Sequence, residues 1–383
     1  MNPTGDDPNL LQTSRELLEL HWRDEGFTMP NAGTYPWQWL WDSCFHALVW
    51  AELGDERAIT EIRSLFAFQT ERGFVPHMNY FPDPAAAIEP WGREGASTIT
   101  QPPMYGHAIA HLEGAGMSVG EETTIAAERG LRFLLNDRRR TAEGLVELCH
   151  PWESGCDDSA RWDAALPEPW TRERWREHKW KLVGTVTTDD QGGAIANDEF
   201  RIGSIGFNAL VAWNCIELAR VTGSDDLQKS ADELAEIISS RWDDDLRSWV
   251  DAGDLAESSG RVRTLDAHFA LLVDPDPNHR RIGFGDLVDE RAFGARFGPA
   301  GIHRDEPTLD HDTYWRGPSW PQMSYLLWAA AATWGEATIH RLLGESLIRG
   351  ATESGWAEFW NPDTGAGLGA IPQSWATVAA LVV

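Results

Sequence analysis

The sequence predicts an all-α protein, a ring of helical hairpins whose long loops gather on one face around a pit. Apolar residues recur at helical spacing through most of the 383 residues. Strand-like alternation is scarce, and segments 145–148 and 248–251 carry the clearest examples. Short and long connections tend to alternate along the chain. Because no linker or low-complexity segment divides the sequence, we expect residues 1–383 to form one domain.

The helical pattern occurs in about twelve segments. In the first, near 8–24, Leu10, Leu11, Leu17, Leu18 and Leu20 recur at helical spacing. The other predicted helices lie near 38–52, 56–70, 98–115, 120–136, 205–221, 225–242, 262–273, 280–292, 318–334, 336–350 and 373–383.

The connections between these segments are of two kinds. Short ones lie near Gly54–Glu56, Gly116–Gly120, Gly223–Ser224 and Trp334–Gly335. Long ones, rich in Gly, Pro, Trp and acidic residues, span 71–97, 139–204, 244–261, 294–317 and 351–372. Loops of this length in a compact domain are usually functional. We interpret 71–97 and 139–204 as insertions, and the basic patch from Arg172 to Lys181, within 164–199, as a solvated loop.

The charge balance excludes some partners. The formal net charge is −28, so the phosphates of nucleic acid would be repelled. The acidity fits either an ordinary solvated surface or adaptation to high salt, and the sequence leaves both open. No run of eighteen apolar residues is present, so no membrane span is predicted. The polar, acidic N-terminus lacks the pattern of a secretory signal, and we expect a cytoplasmic protein.

Cysteine and tryptophan usage carries further information. The four cysteines form no CxxC pair and are expected to be free thiols. Cys149 and Cys156 flank His150, but this spacing fits no common zinc pattern, so no metal site is predicted. There are 21 tryptophans against five tyrosines. An indole suits the apolar face of a sugar ring, and this abundance points toward carbohydrate.

Three tryptophans stand at alternate positions in the segment from Tyr35 to Asp42. Trp37, Trp39 and Trp41 cannot share one helix face, because helical side chains repeat about every 3.6 residues. We interpret the cluster as part of a sugar pocket, in which Asp42 could hold hydroxyls through charge-assisted hydrogen bonds. Simple packing at a helix start is the alternative.

A second motif opens the helix predicted near 98–115. Pro102 and Pro103 suit a helix start, where a missing N–H costs least. Gln101 would stand just before that helix and could point into the pit. A polar cap is an equally good interpretation.

Four carboxylates, Glu153, Asp157, Asp158 and Asp163, fall within eleven residues. Like charges so close raise one another's pKa, and an apolar wall such as Trp152 raises it further. A carboxyl kept protonated near neutrality is what a general acid needs to protonate a leaving oxygen. The pattern alone does not separate Asp157 from Asp158, and a solvated acidic loop is the alternative.

Aromatic residues surround Arg316 in the fourth motif. Tyr314, Trp315 and Trp320 could build a sugar subsite, and Pro318 is well placed to start the following helix. Arg316 could be structural and pair with one of the acids.

In the fifth motif, Glu358 lies among aromatic residues and precedes a turn containing Gly365, Gly367 and Gly369. Glycine permits positive φ or close approach of backbone to a ligand. Glu358 is the natural partner carboxylate, able to activate a water. Asp363 is typical of a turn.

Together these motifs resemble glycoside hydrolase family 63, in particular its bacterial glucosylglycerate and mannosylglycerate hydrolases. The resemblance runs from about Tyr35 to Trp375 with the motifs in the same order. Its most specific parts are the Asp-Thr-Tyr-Trp-Arg-Gly-Pro-Ser-Trp-Pro segment beginning at Asp312 and the Glu-Ser-Gly-Cys-Asp-Asp-Ser segment beginning at Glu153. The resemblance implies an (α/α)6 barrel and an inverting α-glycosidase that needs no metal or organic cofactor.

By this resemblance Asp157 is the general acid and Glu358 the general base. The positions that match family residues holding the sugar or the leaving group are Tyr35, Trp39, Trp41, Asp42, Tyr80, Gln101, Trp152, Gly155, Tyr314, Trp315, Trp320, Gln373 and Trp375. His77 could shape the Tyr80 loop. A glycerate carboxylate would need a cation, for which Arg201 is the candidate. Segment 78–97 and the region between Asp163 and Arg201 differ in length from the family, so the leaving group stays open.

The predicted mechanism places the two carboxyl groups roughly 6.5–9.5 Å apart, with a water between them. The predicted partner is a small sugar substrate, and the oligomeric state is open. One alternative is an α-glucosidase or trehalase-like hydrolase of neutral oligosaccharides. A second is a sugar epimerase using His46, His77, His107 or His150, and a third is a silent sugar-binding protein.

Overall fold

Helices dominate the computed structural model, which describes residues 8–258 and 261–383. Within these ranges the α-helices are α1 (Pro8–His21), α2 (Leu40–Glu52), α3 (Arg57–Leu65), α4 (Ile88–Trp91), α5 (Tyr105–Gly114), α6 (Glu121–Asn136), α7 (Arg172–Val183), α8 (Ile205–Thr222), α9 (Asp225–Ser239), α10 (Asp254–Ser258), α11 (Pro277–Val288), α12 (Pro321–Thr333) and α13 (Ala337–Glu353). The 3-10 helices there are Pro84–Ala87, Pro151–Ser154, Ala160–Ala165, Leu265–Leu272 and Ser374–Val382.

The strands are short and pair only in twos within the described ranges. Each pair is antiparallel. The pairs are β1 (Trp22–Arg23) with β2 (Phe27–Thr28), β3 (Gln38–Trp39) with β4 (Met78–Asn79), β5 (Val186–Thr188) with β6 (Ala194–Asn197), β7 (Trp242–Asp243) with β8 (Ser248–Trp249), and β9 (Phe359–Trp360) with β10 (Gly367–Leu368).

Six elements form a closed inner ring. In order, α2, α5, α8, the 3-10 helix 265–272, α12 and the 3-10 helix 374–382 each pack against the next, and the last packs against α2. The outer elements α1, α3, α6, α9, α11 and α13 flank this ring. The arrangement is an (α/α)6 barrel, so the predicted fold is confirmed.

Burial explains which helices occupy which ring. In α2 every residue from Leu40 to Ala51 is buried, as expected of a helix surrounded by neighbours on all sides. In the outer helix α9, Leu227, Leu234 and Ile238 are buried while the acidic residues between them face solvent. Such a one-sided apolar stripe places a helix on the outside of the barrel.

The connections follow the alternation predicted from the sequence. Links from an inner to an outer element are short; α8 passes to α9 through Gly223, which ends α8 with a φ of 73°. Links from an outer to an inner element are long, such as 66–104 and 137–204. All long links therefore precede the N-terminal ends of inner elements, and they gather on one face.

The secondary-structure predictions hold with three corrections. Each predicted helix is present with shifted ends, but the two near 262–273 and 373–383 are 3-10 helices. Segment 145–148 is not a strand and forms only isolated bridges through Val146 and Leu148. The interpretation of 164–199 as a solvated loop is wrong, because it contains α7 and the β5–β6 pair.

Two further findings bear on the composition. All four cysteines are buried as thiols. In residues 8–258 and 261–383, no helix combines the length and the apolar character needed to cross a membrane.

Candidate active site

A pit opens on the long-loop face. Its walls come from segments that precede inner elements or begin them, which is why residues far apart in sequence meet there. Twelve of the residues singled out from the sequence line it: Tyr35, Trp39, Trp41, Asp42, Gln101, Gly155, Asp157, Tyr314, Trp315, Glu358, Gln373 and Trp375. Pro30 completes the lining and was not predicted.

The acid-bearing segment 150–163 is anchored by its first carboxylate. Glu153 is fully buried and forms an ion pair with the equally buried Arg138. The backbone N–H groups of Thr100 and Cys149 also donate to the Glu153 carboxylate, at 3.2 and 2.6 Å. Because every oxygen of Glu153 is occupied, this residue holds the segment in place and does not face the pit.

Two more carboxylates of the segment have their own cations. Asp158 accepts a hydrogen bond from the Lys179 ammonium at 2.5 Å. Asp163 accepts a bidentate pair from the Arg316 guanidinium at 2.9 and 2.7 Å. Asp157 alone among the four lines the pit, and none of the described cations forms an ion pair with it. The geometry thus separates Asp157 from Asp158, which the sequence pattern alone did not.

The surroundings of Asp157 favour its protonated form. Burial raises the pKa of the Asp157 carboxyl to about 8; the nearby Lys179 charge opposes this rise, and Asp158 and Glu358 add to it. A carboxyl with such a pKa carries a proton at neutrality and can give it to a leaving oxygen. Asp157 therefore has the electrostatic character of a general acid.

Glu358 lines the same pit and is held at both oxygens. The Tyr35 hydroxyl donates to Oε1 and the backbone N–H of Ala370 donates to Oε2, both at 2.9 Å. Burial raises the pKa of Glu358, and these hydrogen bonds partly oppose the rise. Gly369 has a φ of 73°, and a Cβ there would lie 2.3 Å from Oε2 of Glu358. The glycine predicted to permit close approach does so against the carboxylate itself.

Other polar groups face the pit with unused hydrogen-bonding capacity. Asp42 is 4% exposed, and burial together with the charge of Glu358 raises its pKa well above the ordinary value. Oε1 of Gln101 and Oε1 of Gln373 are buried without a partner among the described residues. Buried polar atoms left unpaired suit the hydroxyl groups of a bound sugar.

Indole rings form the apolar walls. The rings of Trp41 and Trp315 lie 6.5 Å apart, and Trp375 meets Trp41 edge-on at 5.8 Å. Gly155 has a φ of 74°, and a Cβ there would come within 2.5 Å of the Trp41 ring. Glycine at this position therefore lets the acid-bearing segment pack directly on the indole.

Four predicted residues lie behind or beside the lining. Trp320 is fully buried and stacks on Trp315 at 3.5 Å, so it supports the pit wall from behind the lining. His77 is buried behind Trp39, with the ring centroids 5.2 Å apart. Tyr80 and Trp152 lie farther out, where Tyr80 packs on Trp37 and Trp152 packs on His77 and Trp180.

The candidate cation Arg201 is in the wrong place. It is absent from the pit lining and pairs with Glu147 and Asp254 at 3.4 and 3.0 Å. A cation that acts on the base side of the pit is Arg172, whose charge lowers the pKa of Glu358. Arg172 is exposed at the start of α7 and forms no ion pair within the described residues. The helical spacing of Trp175, Lys179 and Leu182 after a capping Thr171 could have identified α7, but the basic patch obscured it.

The four histidines considered for an epimerase do not line the pit. His46 bonds to Ser374, His107 to Tyr325 and His150 to the Lys179 carbonyl, all at 2.7 or 2.8 Å. Burial lowers the pKa of His77 to about 3. The titratable groups of the pit lining are the carboxyls of Asp42, Asp157 and Glu358 and two tyrosine hydroxyls, with no histidine among the described lining residues.

Comparison with known proteins agrees with this geometry. Residues 35–376 match the family described as a mannosylglycerate hydrolase MGH1-like glycoside hydrolase domain. A glucosylglycerate hydrolase from Mycolicibacterium hassiacum is 28% identical, over 98% of this chain and 98% of that protein. A mannosylglycerate hydrolase from Thermus thermophilus is 28% identical, over 96% of this chain and 98% of its own length.

The crystal structure of a family 63 mannosylglycerate hydrolase from Thermus thermophilus in complex with Tris has the same fold. It superposes with a TM-score of 0.83 at 25% identity, over 97% of this chain and 99% of that one. The match to the family model spans most of the sequence, and it confirms the resemblance inferred from the motifs. The chain therefore belongs to the mannosylglycerate hydrolase MGH1-like glycoside hydrolases and is a glycosidase.

Proposed function

We propose that the protein hydrolyses a small α-glycoside of glycerate, such as glucosylglycerate or mannosylglycerate, with inversion at the anomeric carbon. One observation carries the proposal: Asp157 and Glu358 line one indole-walled pit, and Asp157 alone in its acidic segment is left without a cation. The names of the relatives support the substrate class.

In the proposed reaction the glycosyl ring packs against the indole walls formed by Trp41 and Trp315, and Asp42 receives its hydroxyl groups. Asp157 donates its proton to the glycosidic oxygen. Glu358 takes a proton from a water on the opposite ring face, and that water attacks the anomeric carbon. The hydrogen bonds from Tyr35 and Ala370 keep Glu358 oriented toward the water.

A substrate panel tests this function. Glucosylglycerate, mannosylglycerate, trehalose and maltose are followed by proton NMR, with hydrolysis of a glycerate glycoside and release of the β-anomer first as the expected result. Asp157→Asn and Glu358→Gln should each lower kcat at least about 100-fold, the usual scale of general acid–base catalysis. Asp190→Asn, at a side chain that is 80% exposed, is the control.

Two results would overturn the proposal. Release of the α-anomer first would exclude inversion, and cleavage of trehalose or maltose in preference to both glycerate glycosides would assign the protein to the neutral-oligosaccharide alternative.

The leaving group carries a carboxylate, and we assign its recognition to Arg172. This guanidinium has no acidic partner in the described ranges, and its charge already acts on Glu358. Arg172→Met should raise KM for the glycerate glycoside about 10- to 100-fold, the scale of a lost charged hydrogen bond. Hydrolysis of α-glucosyl fluoride, which has no carboxylate, should keep its KM; any effect of the lost charge on Glu358 should change kcat for both substrates alike.

Arg201→Met is the matched control, because Arg201 pairs with Glu147 and Asp254 away from the pit. An equal rise in KM for both substrates in Arg172→Met, or a raised KM in the Arg201→Met control, would show that Arg172 does not bind the glycerate carboxylate.

A further inference from the structure

Helix α7 buries a narrow face of only three residues. Only Trp175, Lys179 and Leu182 of its twelve residues are buried, at the i, i+4, i+7 spacing of a single stripe. Two of these three side chains end in a polar group, the indole N–H of Trp175 and the ammonium of Lys179. Both groups donate hydrogen bonds to the segment that carries Asp157.

The first contact is to the backbone of the acid. The Trp175 indole N–H donates to the carbonyl oxygen of Asp157 at 2.8 Å, and the ring itself is fully buried. This bond fixes the peptide on which the Asp157 side chain stands, so it constrains where the carboxyl points.

The second contact is to the neighbouring side chain. The Lys179 ammonium donates to Asp158, and both side chains are more than nine-tenths buried. The ammonium also lies 5.6 Å from the centre of the Trp152 ring, and the Lys179 carbonyl accepts from His150 at 2.8 Å. Burying the charge of a lysine costs free energy unless an opposite charge is paired with it. Lys179 therefore depends on its ion pair with Asp158 in the acidic segment.

We propose that Trp175 and Lys179 are positioning residues for the general acid: α7 holds the Asp157 peptide through the indole and sets the charge beside its carboxyl through the Lys179–Asp158 pair. The proposal rests on the assignment of Asp157 as the acid. It places part of the catalytic machinery in a helix that contacts the segment from outside the barrel ring.

The charge argument has a definite sign. Lys179 is the cation that lowers the pKa of Asp157, against burial and against the neighbouring carboxylates. Removing it should therefore raise that pKa, making Asp157 a weaker acid. The other titratable groups that interact electrostatically with Asp157 are Tyr35, Asp42, Cys156, Asp158, Tyr314 and Glu358. They are unchanged in a Lys179 variant, except that Asp158 loses its partner and adds to the same shift.

The central variant is Lys179→Met, with Lys181→Met as matched control. Lys181 lies two residues along the same helix, is exposed, and carries the same charge. In Lys179→Met the alkaline limb of kcat/KM should move up by about one pH unit or more, the scale of one lost opposite charge. At neutral pH, kcat on the glycerate glycoside should fall about tenfold or more with little change in KM, within the range of general-acid effects. The α-glucosyl fluoride reaction, whose leaving group needs little protonation, should be largely spared.

Two further variants separate positioning from mere stability. Asp158→Asn combined with Lys179→Met removes both charges and should return the alkaline limb toward its wild-type position. Trp175→Phe keeps the ring and removes only the N–H donor; it should lower kcat severalfold without raising KM. Lys179→Arg keeps the cation and should retain the wild-type limb.

The outcomes are distinct. A lower melting temperature with a wild-type pH profile and wild-type kcat in Lys179→Met and Trp175→Phe would overturn the inference and leave a structural role only. If Lys179→Met does not fold, the other two variants test the inference. A wild-type alkaline limb in Lys179→Arg together with a lower kcat in Trp175→Phe would support it, and a shifted limb or a wild-type kcat would overturn it. Full activity of Asp157→Asn would instead overturn the proposed function, whatever the Lys179 variants show.

Discussion

Pairing with cations, more than position in the chain, decides the role of each carboxylate in segment 150–163. Glu153 and Asp158 are paired with Arg138 and Lys179, and both oxygens of Glu153 also accept backbone hydrogen bonds. Asp157 has a raised pKa because burial and neighbouring carboxylates act on it without a direct counter-ion. At the residue scale, catalytic character is thus a property of what surrounds a side chain.

The raised pKa predicts a pH profile. Asp157 must be protonated to act, so kcat/KM should fall as pH rises through about 8. Glu358 must be ionised, and its pKa is also raised, so activity should fall on the acid side at a pH above the ordinary glutamate value. Initial rates on the glycerate glycoside from pH 4 to 10 test this, with melting temperatures recorded at each pH as control. An alkaline limb absent up to pH 10 would contradict the assignment.

At the element scale, the long links act as a connected set. Arg161, on the 3-10 helix that ends the acid-bearing segment, bridges the buried carboxylates of Asp251 and Asp266. Asp251 follows β8, and Asp266 lies in the first turn of the inner 3-10 helix 265–272. One guanidinium therefore ties the acid-bearing segment to the neighbouring sector of the barrel.

Removing that guanidinium should be costly. Arg161→Ala leaves two buried carboxylates unpaired, and we expect the free energy of unfolding to fall by about 3–5 kcal/mol. Urea denaturation followed by tryptophan fluorescence measures it. Arg291→Ala, which removes an arginine that is 90% exposed, should leave the urea midpoint unchanged. Similar midpoints for the two variants would show that the bridge contributes no more than a surface pair.

At the scale of the whole molecule, the excess of acidic residues has to be accommodated on the barrel. The formal net charge of −28 sets like charges against one another across the surface. Many arginines form ion pairs with neighbouring carboxylates, and Arg132 and Arg139 each pair with two acids. Long-range repulsion therefore remains, and dissolved salt is what can screen it.

This repulsion predicts a salt-dependent melting temperature. Between dilute buffer and 1 M NaCl the screening length falls from tens of ångströms to about 3 Å, and the melting temperature should rise by several degrees. An equal concentration of a non-ionic osmolyte is the control for effects other than screening. No gain in salt would dismiss adaptation to high ionic strength and leave an ordinary acidic surface.

The sequence by itself determined the helix positions, the alternation of short and long links, and most of the pit. These follow from local patterns: periodic apolar residues, proline and glycine at helix ends, and acids interleaved with tryptophans. The individual motifs could not predict that Trp320 lies behind Trp315 or that Arg201 lies away from the pit. They also could not predict that α7 contacts the segment carrying Asp157.

Only the tertiary structure decided those matters, because they depend on which side chains meet across the ring. The counter-ions Arg138, Lys179 and Arg316 come from three separate segments, and their pairing leaves Asp157 unpaired at the pit. Burial and charge act through space, whereas sequence patterns describe neighbours along the chain.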